Sequence, residues 1–191
     1  MNQLLLLTTL VGLCSGLKFL RGVKTVPELD ASKYLGRWYQ VYADAVVMKT
    51  FERNGVCITA DYGLLENGVV SVFNAMRITK PNGELKTIKG TAKQNVKEPG
   101  KLTVNLNGGL PFGAPYWVVR LGPVVDGKYE YSVVTDRERF ALFVLVRDPQ
   151  RFADLYEKKV LEELKQLKFV HFFNKPIKNY QGADCLYAPK P

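Results

Sequence analysis

From Gly36 onward, short apolar runs alternate with turn-forming residues at intervals of about a dozen positions, the rhythm of antiparallel strands joined by tight hairpins. Glu66-Asn67-Gly68, Pro81-Asn82-Gly83, Glu98-Pro99-Gly100 and Asp126-Gly127-Lys128 supply Gly or Asn for positive φ, and Thr135-Asp136-Arg137-Glu138 forms a fifth turn. The pattern predicts eight strands, at 37–44, 55–65, 69–79, 84–95, 101–106, 115–121, 129–135 and 139–147. After Arg147 the period changes. Asp148 caps a helix that starts at Pro149, and Phe152, Leu155, Tyr156, Val160, Leu161, Leu164 and Leu167 recur at helical spacing. Its opposite face mixes Glu157, Glu162 and Glu163 with Lys158 and Lys165, as expected of a helix that packs on its own domain.

A meander of eight strands must dispose of its two edges, and closing into an up-and-down barrel does so while leaving room inside for one small ligand. A sandwich is the competing arrangement, but sandwiches use long crossovers and every connection before Arg147 is short. The expected fold is therefore all-β, an eight-stranded up-and-down antiparallel barrel with one C-terminal α-helix packed outside it.

Residues 1–16 carry no charged side chain, and the apolar run from Leu4 to Leu13 has the length of a signal-peptide core. Cys14 and Gly16 are small residues at the positions that precede cleavage, which predicts a leader over 1–16, a single domain over 17–191 and secretion. The rival reading, a lipid anchor on Cys14, meets bulky Leu13 where a small residue is wanted. Removal of Cys14 leaves Cys57 and Cys185, an even count that in an oxidising compartment reads as one disulfide.

Charge and composition narrow the chemistry. The 191 residues include 27 Lys and Arg against 18 Asp and Glu, a formal net charge of +9 that favours an anionic membrane surface or an acidic receptor as partner. The basic residues are scattered and flank no recognition helix or stacking platform, so nucleic acid is not an expected partner. A single histidine, His171, removes most metal sites and Ser-His-Asp schemes. No metal, cofactor or catalytic residue is expected.

Strand parity then selects the residues facing the barrel interior. If Cys57 faces outward, Val56, Ile58, Ala60 and Tyr62 face in; the third strand contributes Val70, Val72, Asn74 and Met76, and the last contributes Phe143 and Leu145. The fourth and fifth offer Ile88, Gly90, Ala92, Leu102, Val104 and Leu106, and the seventh Tyr129, Tyr131 and Val133. The sixth reads two ways: Tyr116 and Val118 bring Arg120 inward, whereas Trp117, Val119 and Leu121 make a wholly apolar face, which is the preferred choice. The resulting ligand-contact set is Ile58, Tyr62, Val72, Asn74, Trp117, Tyr131, Phe143 and Leu145, greasy with a few polar handles. It fits a binding protein for a small hydrophobic molecule; the alternatives are a barrel filled by its own side chains, a surface-interaction protein using its basic face, and an isomerase.

Three motifs carry a resemblance. Gly36-Arg37-Trp38 on the first strand, Thr135-Asp136 at the seventh turn and Arg147 after the eighth strand resemble, in order and spacing, the three signatures of the lipocalin family. The resemblance implies that Trp38 plugs one end of the barrel under the guanidinium of Arg147. Asn54 to Tyr62, Leu65 to Gly68 and Ala114 to Trp117 are similar to the apolipoprotein D group with its bacterial and insect bilin-binding members. In that group Cys57 and Cys185 correspond to a disulfide between an early strand and the tail. A second disulfide of apolipoprotein D has no counterpart, and no Asn-x-Ser/Thr sequon is present.

Overall fold

The computed structural model describes residues 22–109 and 111–191; the expected leader, with Cys14, lies outside the described residues. The chain forms β1 (Gly36–Ala43), β2 (Gly55–Leu64), β3 (Val70–Ile78), β4 (Leu85–Gln94), β5 (Lys101–Leu106) and β6 (Ala114–Leu121), then a small hairpin of β7 (Val124–Val125) and β8 (Lys128–Tyr129). β9 (Tyr131–Thr135) and β10 (Leu142–Val146) complete the meander. Each long strand pairs antiparallel with the next, and β10 returns to pair with β1, placing Tyr39 opposite Val146 and Ala43 opposite Phe143. The sheet is thus an eight-stranded barrel without free long edges.

The one connection that departs from the expected pattern lies between β6 and β9. Asp126 and Gly127 both adopt positive φ (49° and 73°), as a tight two-residue hairpin requires, but they close only β7 onto β8. The chain re-enters the barrel at Tyr131, after Gly122 N–H has donated to the Tyr131 carbonyl and Glu130 N–H to that of Pro123.

A short helix stands at each end. α1 (Ala31–Tyr34), capped by the Asp30 carboxylate that accepts from Ser32 N–H at 2.9 Å, crosses the end where β1 begins. α2 (Ala45–Lys49), capped by Asp44, lies at the opposite end, in the loop between β1 and β2. Two helices follow β10 where one was expected: α3 (Pro149–Leu155) and α4 (Glu157–Gln166). The break is a bend at Tyr156 (φ −125°), whose ring packs 5.4 Å from that of Tyr131, while hydrogen bonds from Tyr156 N–H to Phe152 O and from Val160 N–H to Tyr156 O span it. Phe152, Val160 and Leu164 bury against Val41, Tyr42, Val133 and Val144 on the outer wall.

β1 and β2 pair only where Gly36–Tyr39 meets Thr59–Tyr62, and beyond that they splay. The tail fills the gap: β11 (Ile177–Lys178) pairs with Tyr42 and Ala43, Cys57 N–H donates to Tyr180 O, and the Gln181 amide donates to the carbonyls of Gln40 and Ile58. The Cys57–Cys185 disulfide fastens it across a separation of 128 residues. Cys57 sits at a β-bulge with φ 52°, which turns Val56 out to pair with Arg77 instead of into the barrel as strand parity predicts.

At the α1 end, the Arg147 guanidinium lies 3.6 Å over the Trp38 ring and donates to the carbonyls of Lys33, Tyr34, Leu35, Arg37 and Tyr129. Gly36 has φ 97°, and a side chain there would be strained and only 3.5 Å from Arg147 Nη1. Burial lowers the Arg147 pKa to about 10, which leaves it charged at neutral pH. Replacing Arg147 by Met keeps the bulk and strands these carbonyls, so a loss of about 2–3 kcal/mol is expected in urea unfolding, with the barrel strands retained by circular dichroism.

Candidate functional site

The barrel interior has two levels. The lower level, beside α1, is a packed floor in which Trp38, Ala60, Val70, Val72, Ala92, Leu102, Val118, Val134 and Leu145 form one buried cluster with Tyr34 and Leu29. Three tyrosines stand in it. Tyr34 Oη lies 2.8 Å from Tyr116 Oη and 2.7 Å from Ser132 Oγ, and Tyr62 Oη lies 3.2 Å from Tyr116 Oη. Burial pushes Tyr34 up to about 12 and the other two phenols further, so all three remain protonated and satisfy one another. The cavity left among Leu29, Tyr34, Tyr62, Val70, Leu102 and Tyr116 is about 30 Å³, room for a water or two.

The upper level opens between the loops 44–54, 79–84, 107–113 and 136–141. Ile58 and Met76 meet there beside Gly55, and Asn74 faces in opposite Ala60 and Ile88. Ile88, Leu106, Met76 and Phe143 face inward yet remain partly accessible, Ile88 to 37%. They make an apolar cup above a filled floor. Two hydrogen-bond acceptors interrupt it: Asn74 Oδ1, buried with no partner, and the half-buried carboxyl of Glu52, which accepts from Gln40 Nε2. Gln40 shares the inward face of β1 with Trp38, and its amide also donates to Asn179 Oδ1 of the tail at 3.1 Å. Burial raises Glu52 to about 7 and Asp44, behind it, to about 6.

Of the expected contact residues, the structure brings Ile58, Tyr62, Val72, Asn74, Phe143 and Leu145 to the interior. Trp117 and Tyr131 are placed elsewhere: both pack in the outer cluster under the helices, Trp117 beneath the Lys101 ammonium at 4.4 Å and Tyr131 against Phe152 at 6.0 Å. Apolarity misleads on these two strands because the outer wall is itself covered by α3 and α4 and is as greasy as the inside. Tyr116 and Val118 are the inward pair of β6, and a bulge between Val118 and Arg120 returns Leu121 to the interior while Arg120 stays out beside Glu163 at 3.6 Å. The irregular stretch through Glu130 does the same to the next strand, leaving Tyr129 inside but Tyr131 and Val133 outside. Tyr34, Gln40 and Glu52 were missed altogether. Tyr34 and Glu52 precede or interrupt the strands, where parity says nothing, and no inward set is read for the first strand, where parity with Trp38 points to Gln40.

The three motifs converge on the barrel's ends. Trp38 and Arg147 close the floor, while the Asp136 carboxylate accepts from Glu138 and Phe140 N–H at 2.8 and 3.1 Å and shapes the loop 136–141 after buried Thr135. Residues 29–173 match the sequence profile of the lipocalin-like domain. The chain belongs to the lipocalin family. It is 42% identical over 126 residues to apolipoprotein D of Rattus norvegicus, which covers 62% of this chain and 63% of that protein. It is 32% identical over 147 residues to the outer membrane lipoprotein Blc of Vibrio cholerae, covering 76% and 80%. The chain thus spans under two thirds of apolipoprotein D. Among solved structures, Japanin from Rhipicephalus appendiculatus, bound to cholesterol, has the same fold at a TM-score of 0.57 and 14% identity, over 83% of this chain and all of that one. Among the described residues no three His, Cys, Asp or Glu side chains are grouped to bind a metal ion.

The hydroxyl bonds of this lipocalin's floor make unequal demands. Tyr34→Phe strands two partners and should cost about 1–2 kcal/mol in thermal unfolding, whereas Tyr62→Phe, with its one long contact, should cost under about 1 kcal/mol.

Proposed function

We propose that this lipocalin is a secreted carrier or scavenger of one small hydrophobic molecule, of the fatty acid, lysolipid, sterol, retinoid or tetrapyrrole kind, held in the upper half of the barrel by burial. The observation that carries the reading is the set of inward yet accessible apolar side chains, Met76, Ile88, Leu106 and Phe143, above a floor sealed by Trp38 and Arg147. Burying such surface is worth roughly 25 cal/mol per Å² before ordering costs. Ile58, Tyr62, Val72, Asn74, Phe143 and Leu145 are the proposed contacts, with Tyr62, Val72 and Leu145 forming the base. The Cys57–Cys185 disulfide supports an oxidising, extracellular setting. The relatives named above, one an apolipoprotein and one an outer membrane lipoprotein, support traffic in apolar cargo near lipid.

The open rim supports an anionic membrane as the surface where cargo is exchanged. Phe51, Phe112 and Phe140 stand exposed on three of the rim loops, and Phe172, exposed to 85%, joins Phe140 through Phe173. Lys49, Arg53 and Arg137 lie on two of these loops and Lys80 on the remaining rim loop.

Native mass spectrometry of protein purified without detergent, followed by organic extraction, should show a discrete co-purifying molecule. An empty protein that takes up neither retinoid nor fatty acid would overturn the carrier reading. Sedimentation with phosphatidylserine vesicles should exceed that with phosphatidylcholine vesicles, weaken as salt rises from 0.05 to about 0.5 M, and fall in Phe112→Ser/Phe172→Ser.

A further inference from the structure

One ionisable side chain stands among the neutral polar groups beside the cup. Glu52 enters from the loop after α2, half-buried, with one carboxylate oxygen bound by Gln40 and no ion pair among the described residues. Asn74 adds a side-chain amide from the inward face of β3, its buried Oδ1 without a partner and its NH2 carrying two further donors. Two neighbouring amides are already engaged: that of Gln40 by Glu52 and Asn179, and that of Gln181 by two main-chain carbonyls. The phenols below belong to the closed hydroxyl set of the floor.

Resting on the carrier reading, we propose that the Glu52 carboxylate selects amphiphiles whose head group donates hydrogen bonds, an ammonium foremost, over those that end in a carboxylate, with Asn74 a neutral amide able to meet either kind of head. An apolar tail would lie against Met76, Ile88, Leu106 and Phe143, and the head would reach the Glu52 carboxylate. An uncompensated acceptor in a water-poor cup costs free energy until a donor meets it, and a charge-assisted bond to an ammonium recovers most. A carboxylate head would add a second negative charge beside Glu52.

Other charged groups do not cancel this field. Asp44, at the N-terminus of α2, adds negative charge to it; Gln40 from β1 and Asn179 from the tail are neutral, and Lys49 and Arg53, the cations on the loop of Glu52, are exposed and make no ion pair with it. Lys86 reaches the rim on β4, opposite Met76, but it is exposed, where water screens its charge more strongly than that of a half-buried carboxyl. Because burial holds the Glu52 carboxyl near neutrality, its charge, and with it the selection, strengthens as pH rises through about 7 and fades below it.

Isothermal titration calorimetry of the full mature protein with dodecylamine, 1-dodecanol and laurate tests this. At pH 8 the amine should bind roughly tenfold tighter than laurate, with the alcohol between, and at pH 5.5 the gap should shrink to within about threefold. Glu52→Gln, checked for folding by circular dichroism, should keep the alcohol's affinity and lose both the amine preference and its pH dependence. The pH series on the unaltered protein stands without the variant. Laurate binding as tightly as the amine at pH 8 would overturn the selection while leaving the cup as a ligand site, as would a preference that survives Glu52→Gln. Failure of all three to bind would overturn the cup reading itself.

Discussion

One arginine holds the closed end of this barrel together. Arg147 follows the last strand, yet its guanidinium lies on the indole of the first and collects five carbonyl oxygens from α1, β1 and the stretch before β9. Those carbonyls are the frayed ends of short elements that cannot satisfy themselves, since α1 is a single turn. A planar cation with several fixed donors and a stackable face meets all of them at once, which a lysine's single ammonium does not. Barrel closure, the seat of α1 and the burial of Trp38 thus depend on one side chain, and the floor beneath any ligand is rigid because of it.

The opposite end is built on a different principle. There β1 and β2 part, and the seam is filled by the C-terminal tail through main-chain bonds, the Gln181 bridge and the disulfide at Cys57. Residues far apart in the chain become neighbours at the mouth, and Gln40, Glu52 and Asn179 meet there for that reason. A sealed floor and a mouth assembled from loops and tail give a rigid bottom with an adaptable top, the arrangement expected of a protein that must both hold a ligand and release it.

The polar groups inside divide along the same line. On the floor, Tyr34, Tyr62, Tyr116 and Ser132 bond to one another and leave nothing for a ligand. Near the mouth, Glu52 and Asn74 retain acceptor capacity. The apolar walls and the polar rim are thus separate parts of the interior.

Periodicity and turn chemistry alone determined the eight strands, the barrel, the helical stretch after Pro149, and the inward faces of β3, β4, β5 and β10, because alternation of side chains is a local property of an extended chain. The pairing of Cys57 with Cys185 and the meeting of Trp38 with Arg147 were legible from cysteine count and motif. Only the tertiary structure decided the faces of β6 and β9, since a bulge at Val118–Arg120 and the inserted hairpin shift parity without leaving a mark on composition, and the helices make the outer wall as apolar as the inner. It alone decided that Glu52 looks into the cup, because a loop residue has no parity and its position is set by what the tail and α2 build around it.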